Sequence, residues 1–180
     1  NSYYQRIGIV FEDFVTEGFA TFPWSFGGNL PWTITNDSPY EGIYSARSGA
    51  ISNSQSSELI LEYDVGVSDS ISFYYKVSSE ANYDFLKFYI NNQVVGQWAG
   101  NVPWTRVVFP VTRGLKVFKW QYVKSISVAG GEDCAWIDYI VLPALASCLS
   151  PKNIHATSIT ASSAMLNWIP GGTESTWDII

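Results

Sequence analysis

Histidine is nearly missing from this chain of 180 residues: His155 is the only one, beside two cysteines and one methionine. Because His155 falls in the last part of the chain, no Ser-His-Asp triad, Cys-His pair or histidine-ligated zinc site is available to the residues well before it. Two cysteines, Cys134 and Cys148, do not make a disulfide framework. Charge is scarce as well. Asp, Glu, Lys and Arg supply 14% of the residues, against roughly 25% in an average soluble domain. The balance is acidic, with 16 Asp and Glu against 10 Lys and Arg and a net charge of -6. Such a chain cannot neutralise a phosphate backbone, so nucleic acid is excluded as a partner. No run approaches the roughly 20 apolar residues of a membrane-spanning helix. Asn1-Ser2-Tyr3-Tyr4 has neither the basic nor the apolar region of a signal peptide, so an exported protein would be represented here by a mature segment.

What the chain has in quantity is aromatic rings and glycine: 8 Trp, 11 Tyr, 10 Phe and 14 Gly. So much aromatic surface is buried rather than solvated, which excludes a disordered chain. The polar residues are mainly Ser, Thr and Asn, a balance associated with secreted and cell-surface β-proteins. Alternation of period two recurs, and helical periodicity is almost absent. Strands are predicted over 58–65, with Leu59, Leu61, Tyr63 and Val65 on one face, and over 70–77, with Ile71, Phe73, Tyr75 and Val77 inward. Residues 84–90 and 93–95 flank Asn91-Asn92, which tolerate the positive φ angles of a type I′ hairpin. Further strands are predicted over 105–111, 115–128 and 135–142, the second long enough to bend or to serve two sheets. The pattern predicts an all-β fold, a jelly-roll β-sandwich of two antiparallel sheets.

Composition shifts near Pro143. Residues 8–143 are read as the sandwich and 144–147 as a linker. Residues 148–180 are read as a truncated immunoglobulin-like segment, with strands at 153–159 and 164–169 and the start of a third after Gly171-Gly172. That length is short of the ~100 residues of a whole immunoglobulin-like sandwich.

Four stretches carry a resemblance. They are Phe11-Glu12-Asp13-Phe14; Tyr40-Glu41-Gly42-Ile43-Tyr44; residues 71–89, with Tyr74-Tyr75-Lys76-Val77; and Trp120-Gln121-Tyr122-Val123-Lys124 with Asp133-Cys134-Ala135-Trp136-Ile137-Asp138. In this order and spacing the chain resembles the cleaved-adhesin and MAM-like jelly-roll modules of bacterial surface proteins, gingipain haemagglutinin regions among them. The tail resembles the opening of a fibronectin type III domain, with Trp168 at the place of that family's core tryptophan. The first resemblance implies a calcium ion held by an early acid and a late one, at the matching positions Glu12 and Asp138. Asp37 is a further loop contributor. Calcium suits such a role, because it takes 6–8 oxygens and staples segments distant in sequence. Relatives often carry a second acid after the late aspartate, where this chain has Tyr139.

Four aromatic residues are candidates for stacking on a sugar ring. Trp98 follows the hairpin beside Gly100, and Tyr40, Trp24 and Trp32 lie in loops bearing Pro or Gly. Trp104, Trp120 and Trp136 read as packing residues. Half of the basic residues, Arg106, Arg113, Lys116, Lys119 and Lys124, fall in one stretch. They form either a contact patch or the wet face and turns of two neighbouring strands. Cys134 is expected as a free buried thiol, with pairing to Cys148 as the alternative. The functional expectation is a noncatalytic, extracellular adhesion or ligand-recognition module for a host surface protein or glycan, part of a multidomain bacterial surface protein. The alternative is a structural spacer in a secreted protease or glycoside hydrolase.

Overall fold

The computed structural model describes residues 10–126, 128–145 and 151–170. Strands dominate them, in chain order β1 (Val10–Glu12), β2 (Trp24–Gly28), β3 (Thr33–Thr35), β4 (Ser45–Arg47), β5 (Ser56–Val65), β6 (Asp69–Ser78), β7 (Phe85–Ile90), β8 (Gln93–Trp98), β9 (Asn101–Val111), β10 (Gly114–Val123), β11 (Cys134–Leu142), β12 (Lys152–Thr157) and β13 (Met165–Ile169). One sheet runs β3-β4-β11-β6-β9, with β1 also on β11; the other runs β2-β5-β10-β7-β8. Every pairing is antiparallel, and the two sheets make a jelly-roll β-sandwich.

Alternation sets which side chains enter the core. On β6, Ile71, Phe73, Tyr75 and Val77 are buried in the central cluster, where they meet Leu59 and Leu61 of β5 and Phe118 and Trp120 of β10. The Phe73 ring stands 4.8 Å from that of Phe88 and 5.4 Å from that of Trp120, both edge-to-face, which joins the two sheets through one ring cluster. The predicted hairpin forms at Asn91 and Asn92, both with positive φ (50° and 66°).

Four strands were not expected: β1, β2, β3 and β4. Each has three to five residues, too few to show a period, and β2 ends on Gly27-Gly28. The stretch predicted over 115–128 is shorter than expected. As β10 it stops at Val123, stays in one sheet and does not bend into the other.

β11 departs from regular alternation. Its register to β6 shifts between Asp138 and Val141, and Tyr139 there has φ 46°, so the strand bulges by one residue. Ile137 points inward before the bulge, and Ile140 and Leu142 point inward after it. Past β11, the Tyr63 hydroxyl donates to Pro143 O and Gly66 N donates to Ala144 O, which docks the chain exit on the end of β5. β12 and β13 then pair as an exposed hairpin, close to the two strands predicted. The expected third strand after Gly172, Cys148, and residues 8, 9, 146 and 147 at the expected boundaries lie outside the described residues. Two strands do not define a fold, and the fibronectin type III likeness stays an expectation.

Phe73→Ala is expected to lower stability by about 3–5 kcal/mol in denaturant titration. Val108→Ala, on the outward side of the neighbouring strand, should stay within about 0.5 kcal/mol.

Candidate functional site: an aromatic outer face

The outward side chains of the six-stranded sheet follow from the same alternation. With Phe73 and Tyr75 inward, Ser72, Tyr74 and Lys76 face out. Tyr74 lies opposite Asp138 on one side and Arg106 on the other, and Lys76 lies opposite Trp136. The chain between β3 and β4 folds over this face and lays the Tyr40 ring on Tyr74, with centroids 3.5 Å apart and planes 15° off parallel. Trp104 closes on the edge of Tyr40 at 6.1 Å, and its indole N–H donates to Ser38 O at 2.9 Å. On the other side Tyr139 stands 6.5 Å from Tyr74, and Phe11 stands 5.8 Å from Tyr139. Five rings, Phe11, Tyr139, Tyr74, Tyr40 and Trp104, therefore run in file across β1, β11, β6, the covering loop and β9. Tyr40 is the most open to solvent at 41% exposure.

Asp138 holds this arrangement. It is fully buried beneath the loop. Its Oδ2 accepts the N–H groups of Tyr40 (2.9 Å) and Glu41 (3.1 Å), and its Oδ1 accepts the N–H of Tyr139 (2.7 Å). Two ring-bearing residues of the file are thus fixed through their backbones by one carboxylate. Burial pushes the Asp138 carboxyl up to about 7, against the pull of the three amide donors.

The three acids expected to share a calcium do not converge. Asp138 faces outward, whereas Glu12 turns to the inner side. There the Glu12 carboxylate accepts Phe14 N–H at 3.0 Å, the Thr21 hydroxyl at 3.2 Å and the Trp24 indole N–H at 3.2 Å. Burial raises the Glu12 pKa, and these donors lower it. Asp37 is exposed, and its N–H donates to the Thr35 hydroxyl. Among the described residues no three Asp, Glu, His or Cys side chains are grouped to hold a metal ion.

Of the four stacking candidates, Tyr40 alone presents itself outward. Trp98 is stacked on Tyr75 at 4.1 Å and reaches Phe73 and Phe109 inside the sandwich. A Cβ at Gly96 would stand 2.5 Å from its ring, so that glycine makes room for it. Trp32 is 2% exposed and donates to Ser57 O. Trp24 is wedged among Phe14, Phe19, Phe22 and Trp120. Trp32 is a core residue, and Trp98 and Trp24 are partly buried rings packed against the core, for the ordinary reason that large rings near a sandwich fill it. The sequence pattern does not single out Tyr74, Tyr139 or Phe11 as site residues, and it places Trp104 among the packing residues. A signal for Tyr74 was present in Tyr74-Tyr75, because a strand turns one member of such a pair outward.

The basic stretch is neither a patch nor a uniformly wet face. Lys116 and Lys124 are buried, and Lys119 pairs with Glu58 at 3.4 Å. The outer sheet face has its own cations: Arg106 donates to the Ser72 hydroxyl at 3.0 Å, and Lys76 and Arg47 lie over the buried Trp136 ring at 4.3 and 5.7 Å. Cys134 is buried, its sulfur accepts the Arg47 Nε–H at 3.3 Å, and burial pushes the thiol up to about 11.

No family model and no curated protein matches the sequence. Solved structures do match in fold. The K1 cleaved adhesin domain of Lys-gingipain from Porphyromonas gingivalis aligns at TM-score 0.56 and 13% identity, over 76% of this chain and 98% of that one. TmCBM61, solved with beta-1,4-galactotriose, aligns at 0.54 and 16%, over 73% and 94%. The secreted serine protease VesC from Vibrio cholerae aligns at 0.52 and 20%, over 63% of this chain and only 23% of the protease. The chain thus has the cleaved-adhesin-like jelly-roll fold that its motifs imply.

The Asp138 carboxyl makes stability depend on pH. Between its unfolded value, about 4, and about 7 when folded, the folded chain keeps a proton that the unfolded chain has released. Stability therefore falls as pH rises through that window. In chelator, the Tm should drop from pH 5 to pH 7.5, and Asp138→Asn should flatten the drop. An equal slope in the variant would assign it elsewhere.

Proposed function

We propose that this chain is a noncatalytic, extracellular glycan-binding module, and that the ring file on the outer face of its six-stranded sheet is the contact surface. The observation that carries this reading is the Tyr40–Tyr74 stack, extended by Trp104 and Tyr139 on a rigid sheet. Rings held in this way present flat apolar faces at little cost in side-chain entropy, which suits the C–H faces of pyranose rings. Arg106, next to Tyr74, supplies hydrogen-bond donors beside the rings. The fold shared with TmCBM61, a galactotriose binder by its description, and with cleaved adhesin domains supports a binding module over an enzyme. Calcium enters this reading at Asp138 alone, where a cation would relieve the cost of a buried carboxylate; the remaining oxygens would come from main chain and water.

Isothermal titration with β-1,4-galacto-oligosaccharide, alongside a panel of other β-linked oligosaccharides, tests the reading. Tyr40→Ala and Trp104→Ala should each weaken binding about fivefold or more, the effect of one aromatic anchor, with the Tm little changed. Trp98→Ala should instead cost about 3–5 kcal/mol of stability and keep the affinity of the folded fraction. No binding across the panel, or full affinity in Tyr40→Ala, would contradict the proposal.

A further inference from the structure

Away from the ring file, where the two sheets come together beyond the ends of β10 and β11, the sandwich contains a lysine with two carboxylates. The Lys124 side chain is 2% exposed, Asp84 is 0% and Asp133 is 24%. Lys124 Nζ contacts Asp133 Oδ2 and lies 4.0 Å from Asp84 Oδ2. Backbone bonds fix both partners of this contact, with Lys124 N–H on Gln55 O at 3.0 Å and Asp133 N–H on Gly130 O at 3.2 Å. The Tyr122 hydroxyl donates to Asp133 Oδ1 at 3.0 Å. Asp84 Oδ1 accepts Ser125 N–H at 2.7 Å, while its Oδ2 is buried and has no hydrogen-bond partner among the described residues.

Two features of this cluster go beyond a structural ion pair. A buried ammonium and carboxylate are costly to desolvate, and condensing them into a neutral amide removes both charges. The remaining groups also stand where that condensation needs them. We propose that Lys124 and Asp133 form an intramolecular isopeptide bond, with Asp84 carrying the proton and Tyr122 holding the carbonyl oxygen. Asp84 takes one proton from the Lys124 ammonium and passes it to Asp133 Oδ2. The neutral amine attacks Asp133 Cγ, forming the N–C bond. Tyr122 stabilises the charge that develops on Oδ1. Burial, reinforced by Asp133, raises the pKa of the Tyr122 hydroxyl, which keeps it a donor. The Cγ–Oδ2 bond breaks, and Oδ2 leaves as water with a second proton from nitrogen. One ammonium and one carboxylate become one amide and one water, Asp84 returns to its starting state, and no oxidant or cofactor is consumed.

The bond would link the end of β10 in one sheet to the start of β11 in the other and close the intervening residues into a covalent loop. An adhesive module exposed to proteases and pulling forces would gain a covalent clamp that reducing agents do not open.

Intact mass spectrometry of the purified chain under denaturing, reducing conditions tests this. The expected mass is one water below that of the sequence. Tryptic digestion should leave residues 120–152 as one peptide, uncut after Lys124, and fragmentation should place the missing water between Lys124 and Asp133. Asp133→Asn should form the same amide by losing ammonia, and Lys124→Arg should show its full mass. Asp84→Asn should also show its full mass, and complete bond formation there would overturn the role given to Asp84. A wild-type chain of unreduced mass, or one cut normally after Lys124, would overturn the proposal even if every variant failed to fold.

Discussion

The interlock of rings between the two sheets is the constraint on which the rest of the molecule depends. Phe73 brings β6 against Phe88 and Trp120 of the opposite sheet, and Trp98, Phe109 and Tyr75 extend the contact toward β8 and β9. A core of this kind leaves few of the large rings for the surface. It also fixes the parity of β6, so that Tyr74 points outward because its two neighbours cannot. The outer face is therefore a consequence of the inner one. The remaining choices, the bulge in β11 and the loop over the sheet, decide which rings gather around Tyr74.

Polar groups appear inside this apolar frame at a few positions, each tied to a local task. Asp138 is buried in order to hold the backbone of Tyr40, Glu41 and Tyr139. Glu12 is buried to receive Phe14, Thr21 and Trp24, closing the turn after β1. Lys124, Asp84 and Asp133 sit together where the sheets meet. Burying such groups without partners is expensive, so their pairing marks points where the chain must be held in one conformation. Asp138 is the clearest case, because three donors do not fully offset its desolvation and its carboxyl still titrates near neutrality.

The sandwich was largely legible in the sequence because its long strands alternate cleanly. Leu59, Leu61, Ile71, Phe73, Tyr75 and Val77 were placed in the core by period alone, and Asn91-Asn92 announced the hairpin. The short strands β1 to β4 were not legible, since three to five residues carry no period and their pairing is set by partners far along the chain. The site was legible in part. Tyr40 was found through its loop, but Trp98, Trp24 and Trp32 were offered by the same reasoning and proved to be packing, because proximity to a turn does not reveal which way an indole faces. Tyr139 was hidden for a different reason. Strict alternation from Ile137 puts it inside, and only the bulge at Asp138, which depends on register, brings it out. The likeness to adhesin modules implied Glu12 and Asp138 as ligands of one calcium; both are buried, but on opposite sides of the sheet and with separate hydrogen-bond partners.

In the proposed binding mode, ligand meets the outer ring file and not the tryptophans packed in and against the core. The most direct measurement is to follow the side-chain NMR signals of the aromatic residues while a β-linked galacto-oligosaccharide is added. The ring protons of Tyr40, Tyr74 and Tyr139 and the indole of Trp104 should shift in a saturable, concentration-dependent way, while the indoles of Trp98, Trp24 and Trp32 stay in place. Shifts concentrated on Trp98, Trp24 or Trp32, with the Tyr40–Tyr74 pair unmoved, would place the ligand elsewhere and rule out the ring file as its contact surface.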